Sequence, residues 1–205
     1  MSTVRLRHAL RAELPTIVDI WVDAFTDDPY FRWIAPDDDR WHAFGRDWLT
    51  LIAELTFEHG HTFIGERADV AVAWSPPDLE LMTPDDLDRA RGIIAAHAGE
   101  ARADESFATI EDAYAHFLQT PHWTLQYLGV RSTDQGTGLG TAAVAPGLAR
   151  CDDDGMPCSL MSSNVRNVPF YERLGFTVAA EAWTPDGVTA LRPMHRAARA
   201  TTTTD

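Results

Sequence analysis

"WTLQYLGVRSTDQGTGLGTAAV" (Trp123–Val144) decides how this chain is read. Its first eight residues, Trp123–Val130, are strongly apolar and read as a buried strand, and the residues after Gly138 open a helix. Between them Gly136, Gly138 and Gly140 leave a bare backbone whose N–H groups can all face one way at the positive end of that helix. Such donors suit a diphosphate without any basic side chain, with Gln135 and Arg131 as candidate side-chain donors. No Lys-Ser/Thr pair follows the glycines, as a nucleoside-triphosphate loop requires, and no acid-ended second strand follows in the dinucleotide manner. On this stretch alone, a glycine-rich connection that holds no ligand stays open.

Upstream, Leu6 and His8 alternate with Arg5 and Arg7 and, with Val4, predict a first strand. Leu14, Ile17, Val18, Trp21, Val22 and Phe25 recur at helix spacing. The run from Thr26 to Asp39 breaks that period with two Pro and five Asp and reads as a loop or short helical turn. Trp41, Phe44, Trp48, Leu51, Ile52 and Leu55 predict a second amphipathic helix that stops near Gly60. His61–Ser75 reads as a hairpin closed by Pro76 and Pro77. Thr83–Asp86 is a helix start with a cap residue, a Pro at the first helical position and an acid three residues after the cap. A weaker helix carries Phe107, Ile110, Tyr114 and Phe117.

Downstream, the helix from about Gly138 to Asp152 contains Pro146, which must bend it or remove part of its hydrogen-bond ladder. Pro157–Ser163 is a short buried strand. Asn167–Phe176 is a short helix opened by Pro169 and ended by Gly175. Strands near Thr177–Trp183 and Val188–Met194 flank the turn at Thr184–Gly187. The total is about seven strands and four or five helices, an α/β chain without internal repeats. Residues 1–197 are expected to form one domain and 198–205 a flexible tail.

The chain has 205 residues, 45% of them hydrophobic and 23% charged, which is globular composition. Thirty-one Asp and Glu stand against 17 cations, all Arg, for a net charge of -14. That balance disfavours nucleic acid and anionic membranes and favours a cationic partner. Two cysteines, Cys151 and Cys158, are too few for a disulfide framework and suit a reducing, cytoplasmic setting. No apolar run is long enough to span a bilayer. His42, His59 and His61 lack the spacing and acidic company of a zinc site, so no metal is expected.

Asn164 follows the Pro157–Ser163 strand, and Tyr171 lies seven residues later on the short helix. A phenol near a diphosphate site can donate a proton to a leaving thiolate; alternatively it is a half-buried aromatic with its hydroxyl tied to backbone.

Together these residues resemble the GCN5-related N-acetyltransferase (GNAT) superfamily. Gln135, Gly138 and Gly140 stand where that family's Gln/Arg-x-x-Gly-x-Gly/Ala motif has its fixed positions. "SSNVRNVPFYERLGF" resembles the second half of the cofactor site, with Asn164, Asn167 and Tyr171 in place. The order of elements agrees over nearly the whole chain. Within the superfamily, "HWTLQYLGV", "NVPFYERLGFTV" and "VAVAWSPP" are similar to puromycin N-acetyltransferase-like proteins of actinomycetes. One departure stands out: those proteins commonly show an acidic residue where this chain has Met161, which puts their acceptor in doubt here.

The resemblance implies a GNAT fold, with a mixed, mostly antiparallel sheet flanked by helices, and acetyl-CoA as cosubstrate. It implies a cofactor site at Leu128, Gly129, Val130, Gln135, Gly136, Thr137, Gly138, Leu139, Gly140, Thr141, Asn164, Asn167 and Phe170. Tyr171 is the expected catalytic acid. Asp27, Asp28, Tyr30, Trp33, Trp74 and Gln126 are candidate acceptor contacts, while Trp41 and Trp48 are read as core. The base is left among water, His122, Asp27, Asp28 and Asp37, with Gln126 as an orienting group only. The expected reaction is direct transfer to the amine of a small molecule; the alternatives are a protein or peptide amine, or a non-catalytic acyl-CoA-binding module. The chain is expected to act as a monomer or homodimer.

Overall fold

The computed structural model describes residues 5–77 and 79–200. Val4, part of the expected first strand, and the tail beyond residue 200 lie outside them. Among the described residues are eight strands in one sheet: β1 (Leu6–His8), β2 (Thr62–Gly65), β3 (Val70–Ser75), β4 (Trp123–Val130), β5 (Cys158–Ser162), β6 (Thr177–Val178), β7 (Ala182–Trp183) and β8 (Ala190–Arg196). The order is β1-β2-β3-β4-β5-β8-β6, with β7 also on β8. Only β4 and β5 run parallel; the other pairings are antiparallel. This is the mixed, mostly antiparallel α/β arrangement expected. The count is eight rather than seven because the stretch 177–183 forms two short strands instead of one.

Seven α-helices are found where four or five were expected: α1 (Leu14–Ala24), α2 (Pro29–Ile34), α3 (Asp38–Glu58), α4 (Pro84–Ala98), α5 (Glu100–Tyr114), α6 (Leu139–Asp153) and α7 (Val168–Arg173). The excess has local causes. Asp28 caps the six-residue α2 by accepting from the amides of Tyr30 and Phe31. Gly99, at φ 87°, is the single residue between α4 and α5. Thr83 and Asp86 form the expected capping box at the start of α4. Pro146 costs α6 one rung of its ladder, yet the helix runs on to Asp153.

Side-chain alternation on β3 divides the core. Ala71 and Ala73 face α1–α5, and small side chains there admit Trp21 and Trp41, both fully buried. Val70, Val72 and Trp74 face α6 together with Leu125, Leu160 and Phe176. Two glycines set how close the helices come. A Cβ on Gly129 would lie 2.5 Å from Trp21 Cδ1, and one on Gly147 would lie 2.3 Å from Trp74. α1 therefore presses on β4, and α6 on β3, at distances only glycine permits.

Candidate active site

The site is made by a fork in the sheet. β4 pairs with β5 at Trp123, Thr124 and Leu125 only. On its other side β4 matches Leu125 to Trp74 and Tyr127 to Ala73, so Gln126 is an extra residue in the ladder. Such a bulge bends a strand and increases its twist. From this point β4 leaves β5, and the edge from Gln126 to Val130 has no strand beside it on that side. Nothing in the residue types around Gln126 announced the bulge.

Beyond Val130 the chain passes through a short turn at Ser132–Asp134 into the glycine loop. The turn is tied down by Asp23, which accepts from the Ser132 amide at 2.7 Å, and by Thr137 Oγ1, which donates to the Asp134 carbonyl at 2.6 Å. Gly136 and Gly138 have φ of 75° and 89°, and a Cβ on either would meet nothing within 4 Å. The glycines are therefore required by backbone conformation rather than by crowding. The first hydrogen bond of α6 runs from the Ala142 amide to the Gly138 carbonyl. The amides of Leu139, Gly140 and Thr141 consequently have no acceptor within the helix, and Gly138 has no side chain with which to cap them. The candidate side-chain donors are used elsewhere: Gln135 Nε2 donates to the Val130 carbonyl at 3.2 Å, and Arg131 Nε to the Ala68 carbonyl at 2.9 Å. Both brace the loop.

α7 lies across this helix end. The Phe170 ring is 3.5 Å from where a Gly140 Cβ would stand, and the Phe170 and Tyr171 ring centroids are 5.0 Å apart. Asn164 Oδ1 accepts from the Arg166 amide at 3.0 Å and so caps the turn leading into α7; Asn167 is exposed. Tyr171 is half-buried and packs on Phe176. Burial, followed by the negative charge of Asp28, pushes its hydroxyl up to about 12, and no hydrogen bond contributes. The phenol is thus protonated at neutral pH and its hydroxyl is not tied to backbone.

Tyr171 opens onto a cavity of about 940 Å³ between the fork and α3–α5. Of the acceptor candidates, Tyr30 and Gln126 line it, and Asp28 stands behind Ser163, which also lines it. Asp28 is 5% exposed, and burial pushes its carboxyl up against the lowering effect of its three hydrogen bonds. Asp27 is exposed, Trp33 turns to Asp186 with a 2.8 Å hydrogen bond, and Trp74 is core beside Gly147; none of the three lines the cavity. Trp41 is core, but Trp48 is both core and cavity wall, with Nε1 donating to Tyr127 Oη at 2.9 Å. His122, one of the candidate bases, is also on the cavity lining, with Nδ1 2.8 Å from the Thr120 carbonyl. Ser163 and the α4–α5 wall were missed: the serine carried no motif, and the two helices have weak apolar stripes that do not say what they face. Cys151 and Cys158 are buried thiols away from the cavity. Among the described residues, no cluster of His, Cys, Asp and Glu suits a metal, and no helix is long and apolar enough to cross a membrane.

Residues 11–176 match the model of the Acetyltransferase (GNAT) family, and the chain belongs to that family. An uncharacterized N-acetyltransferase of Schizosaccharomyces pombe is 43% identical over 54 residues, a stretch that covers 26% of this chain and 22% of that protein. Two solved structures share the fold over essentially their full lengths. A histone acetyltransferase HPA2 and related acetyltransferase from Corynebacterium glutamicum has a TM-score of 0.67 at 23% identity, over 98% of this chain and 99% of that one. Arylalkylamine N-acetyltransferase 2 from Aedes aegypti has a TM-score of 0.67 at 10% identity, over 97% and 100%. None of these relatives is a puromycin acetyltransferase.

Proposed function

We propose that the protein is an acetyl-CoA-dependent N-acetyltransferase that acts by direct transfer on the amine of a small molecule. One observation carries this reading. The α6 start, whose first three amides have no acceptor within the helix, lies against Phe170, which adjoins Tyr171, and Tyr171 lines the cavity together with Gln126 and Leu128 of the β4 edge that leaves β5. The donor set fits a diphosphate, since backbone N–H groups and a helix N-terminus supply positive potential where the chain has no Lys at all. The space beside Gly136 and Gly138, where a Cβ would meet nothing within 4 Å, leaves room for it.

When bound, acetyl-CoA supplies an activated thioester. The loop amides from Gln135 to Thr141 hold its phosphates, with Asn164, Asn167 and Phe170 beside them. The edge Gln126–Val130 pairs with the extended arm as a further strand would. An N–H of Leu128–Val130 stabilises the charge that develops on the carbonyl oxygen. As the acceptor nitrogen bonds to carbon and the C–S bond breaks, the nitrogen loses one proton and the sulfur gains one. Tyr171 faces that sulfur. Burial holds the Tyr171 hydroxyl above the ordinary phenol value, so it gives up its proton less readily than a free phenol, and far less readily than a thiol. Tyr171 therefore works chiefly as a hydrogen-bond donor to the developing thiolate, and the sulfur's proton comes ultimately from the acceptor amine.

The puromycin-like resemblance supports a small-molecule acceptor rather than puromycin itself, because Met161 lies on the cavity wall where relatives carry an acid. Calorimetry with CoA and thiol release with acetyl-CoA and an amine panel test the reading. Failure to bind CoA at millimolar concentration refutes it. CoA binding without turnover of any amine leaves only a binding module.

A further inference from the structure

Among the described residues lining the cavity, Glu80 alone carries a formal charge, and it is exposed. Trp48, Tyr127 and Tyr30 have used polar atoms among themselves and on neighbouring groups, while the Tyr114 and Tyr171 hydroxyls have no hydrogen-bond partner among the described residues. Trp48 Nε1 donates to Tyr127 Oη, while Tyr30 Oη donates to the Ser106 carbonyl at 3.1 Å and lies 2.7 Å from Ser106 Oγ. Toward α3, α4 and α5 the wall is mostly carbon, from residues such as Phe31, Ile52, Met82, Phe107 and Ile110, with the Tyr114 hydroxyl, Gln119 and His122 toward the end of α5.

The fork end differs. Ser163 lies there with Tyr171 and Gln126, and its Oγ donates to the buried Asp28 Oδ2. With that proton committed, the serine oxygen has only lone pairs to offer a guest, which matches an amine N–H. Gln126 is held by its Nε2 donation to Ser75 Oγ at 3.1 Å. The cavity therefore has a small polar end next to the reacting position and a larger, mostly apolar body.

We propose that the acceptor is a lipophilic monoamine, with its nitrogen at Ser163 beside Tyr171 and its aliphatic or aromatic body against α3, α4 and α5. This rests on the acetyl-transfer reading above and names the acceptor class for the same site. A polyamine or a peptide would bring further charges or amide groups against a wall that is mostly apolar, where only the exposed Glu80 and a few polar groups toward the end of α5 could pair them, and each group left unpaired carries a burial penalty. At about 940 Å³ the space suits a drug-sized body.

Straight-chain amines from propylamine to hexylamine test this, because their nitrogens have nearly the same basicity while the buried chain grows. With acetyl-CoA, kcat/KM is expected to rise about fourfold per added methylene, and spermidine and lysine peptides are expected to fall below propylamine. Quenching of Trp48 in the CoA-bound protein is expected to give binding constants with the same slope, independent of turnover. In Ile110→Trp the gain from propylamine to hexylamine is expected to vanish, with CoA binding by calorimetry confirming a folded protein. A flat response to chain length with turnover intact, or a preference for the polyamine or peptide, overturns the proposal and leaves acetyl transfer standing. A flat response to the amine with a rising response to acyl length, from acetyl-CoA to octanoyl-CoA, also overturns it and assigns the apolar end to the acyl chain. Loss of all turnover together with loss of CoA binding sinks both readings.

Discussion

Tyr171→Phe isolates one hydroxyl. The ring keeps its packing on Phe170 and Phe176, with centroid separations of 5.0 and 6.1 Å, and the hydroxyl has no hydrogen-bond partner among the described residues to leave behind. Stability should therefore change by less than about 0.5 kcal/mol. The hydroxyl's contribution is a hydrogen bond to charge that appears only as sulfur departs, which is about 1.5–3 kcal/mol. That corresponds to a fall in kcat of about 10- to 150-fold, with KM for acetyl-CoA little changed, since the interaction is made only in the transition state. The pH dependence has a definite sign. A donor must hold its proton, and the Tyr171 hydroxyl is pushed up to about 12, so wild-type kcat should not decline through Tyr171 ionisation below about pH 11. The assay is thiol release under saturating acetyl-CoA and amine, from pH 6 to 10, with thermal unfolding in parallel. A variant within about twofold of wild type, or one whose only defect is a raised KM, refutes the role given to this side chain.

Gly138→Ala forces a non-glycine residue to φ 89°, at a cost of about 1–2 kcal/mol, and calorimetry should show CoA binding weakened at least about tenfold. Gly129→Ala places a methyl 2.5 Å from Trp21 Cδ1, and urea unfolding should show a loss of about 1–3 kcal/mol from overpacking. Asp152 accepts from the buried Arg196 at 2.8 and 2.7 Å, so Asp152→Ala, which leaves that guanidinium unpaired, should cost about 3–5 kcal/mol by the same measurement. The Arg196 guanidinium holds the Asp152 carboxyl below the ordinary carboxylate range. Its contribution is thus present above about pH 4, the unfolded value, and fades as pH falls through the lower folded one; acid unfolding curves of wild type and variant should converge there.

Local rules were enough wherever neighbours in sequence decide the conformation. The capping box at Thr83–Asp86, the glycine turn at Gly136–Gly138, the hairpin from His61 to Ser75 and the termination of α7 at Gly175 are all short-range matters of backbone freedom and orphan amides. The proposed cofactor half of the site shares that property, because one loop and one helix N-terminus contain most of its candidate donors. Tyr171 was picked out by its place in the same pattern, and the structure puts it on the cavity lining. The acceptor half was not legible in this way. Trp33, Trp48 and Trp74 look alike in the sequence, yet one turns to Asp186, one forms cavity wall and one fills the core.

The sequence by itself therefore determined most of the elements, the conformation of the glycine loop and the family, since each depends on residues a few positions apart. Tertiary structure alone decided that Gln126 bulges, that β4 leaves β5 there, and that Ser163 comes to Asp28 across 135 positions of chain. It also decided that α4 and α5 turn apolar faces toward an open cavity rather than a filled core. The physical reason is that a side chain's burial is set by what packs opposite it, and that partner arrives from a distant part of the chain.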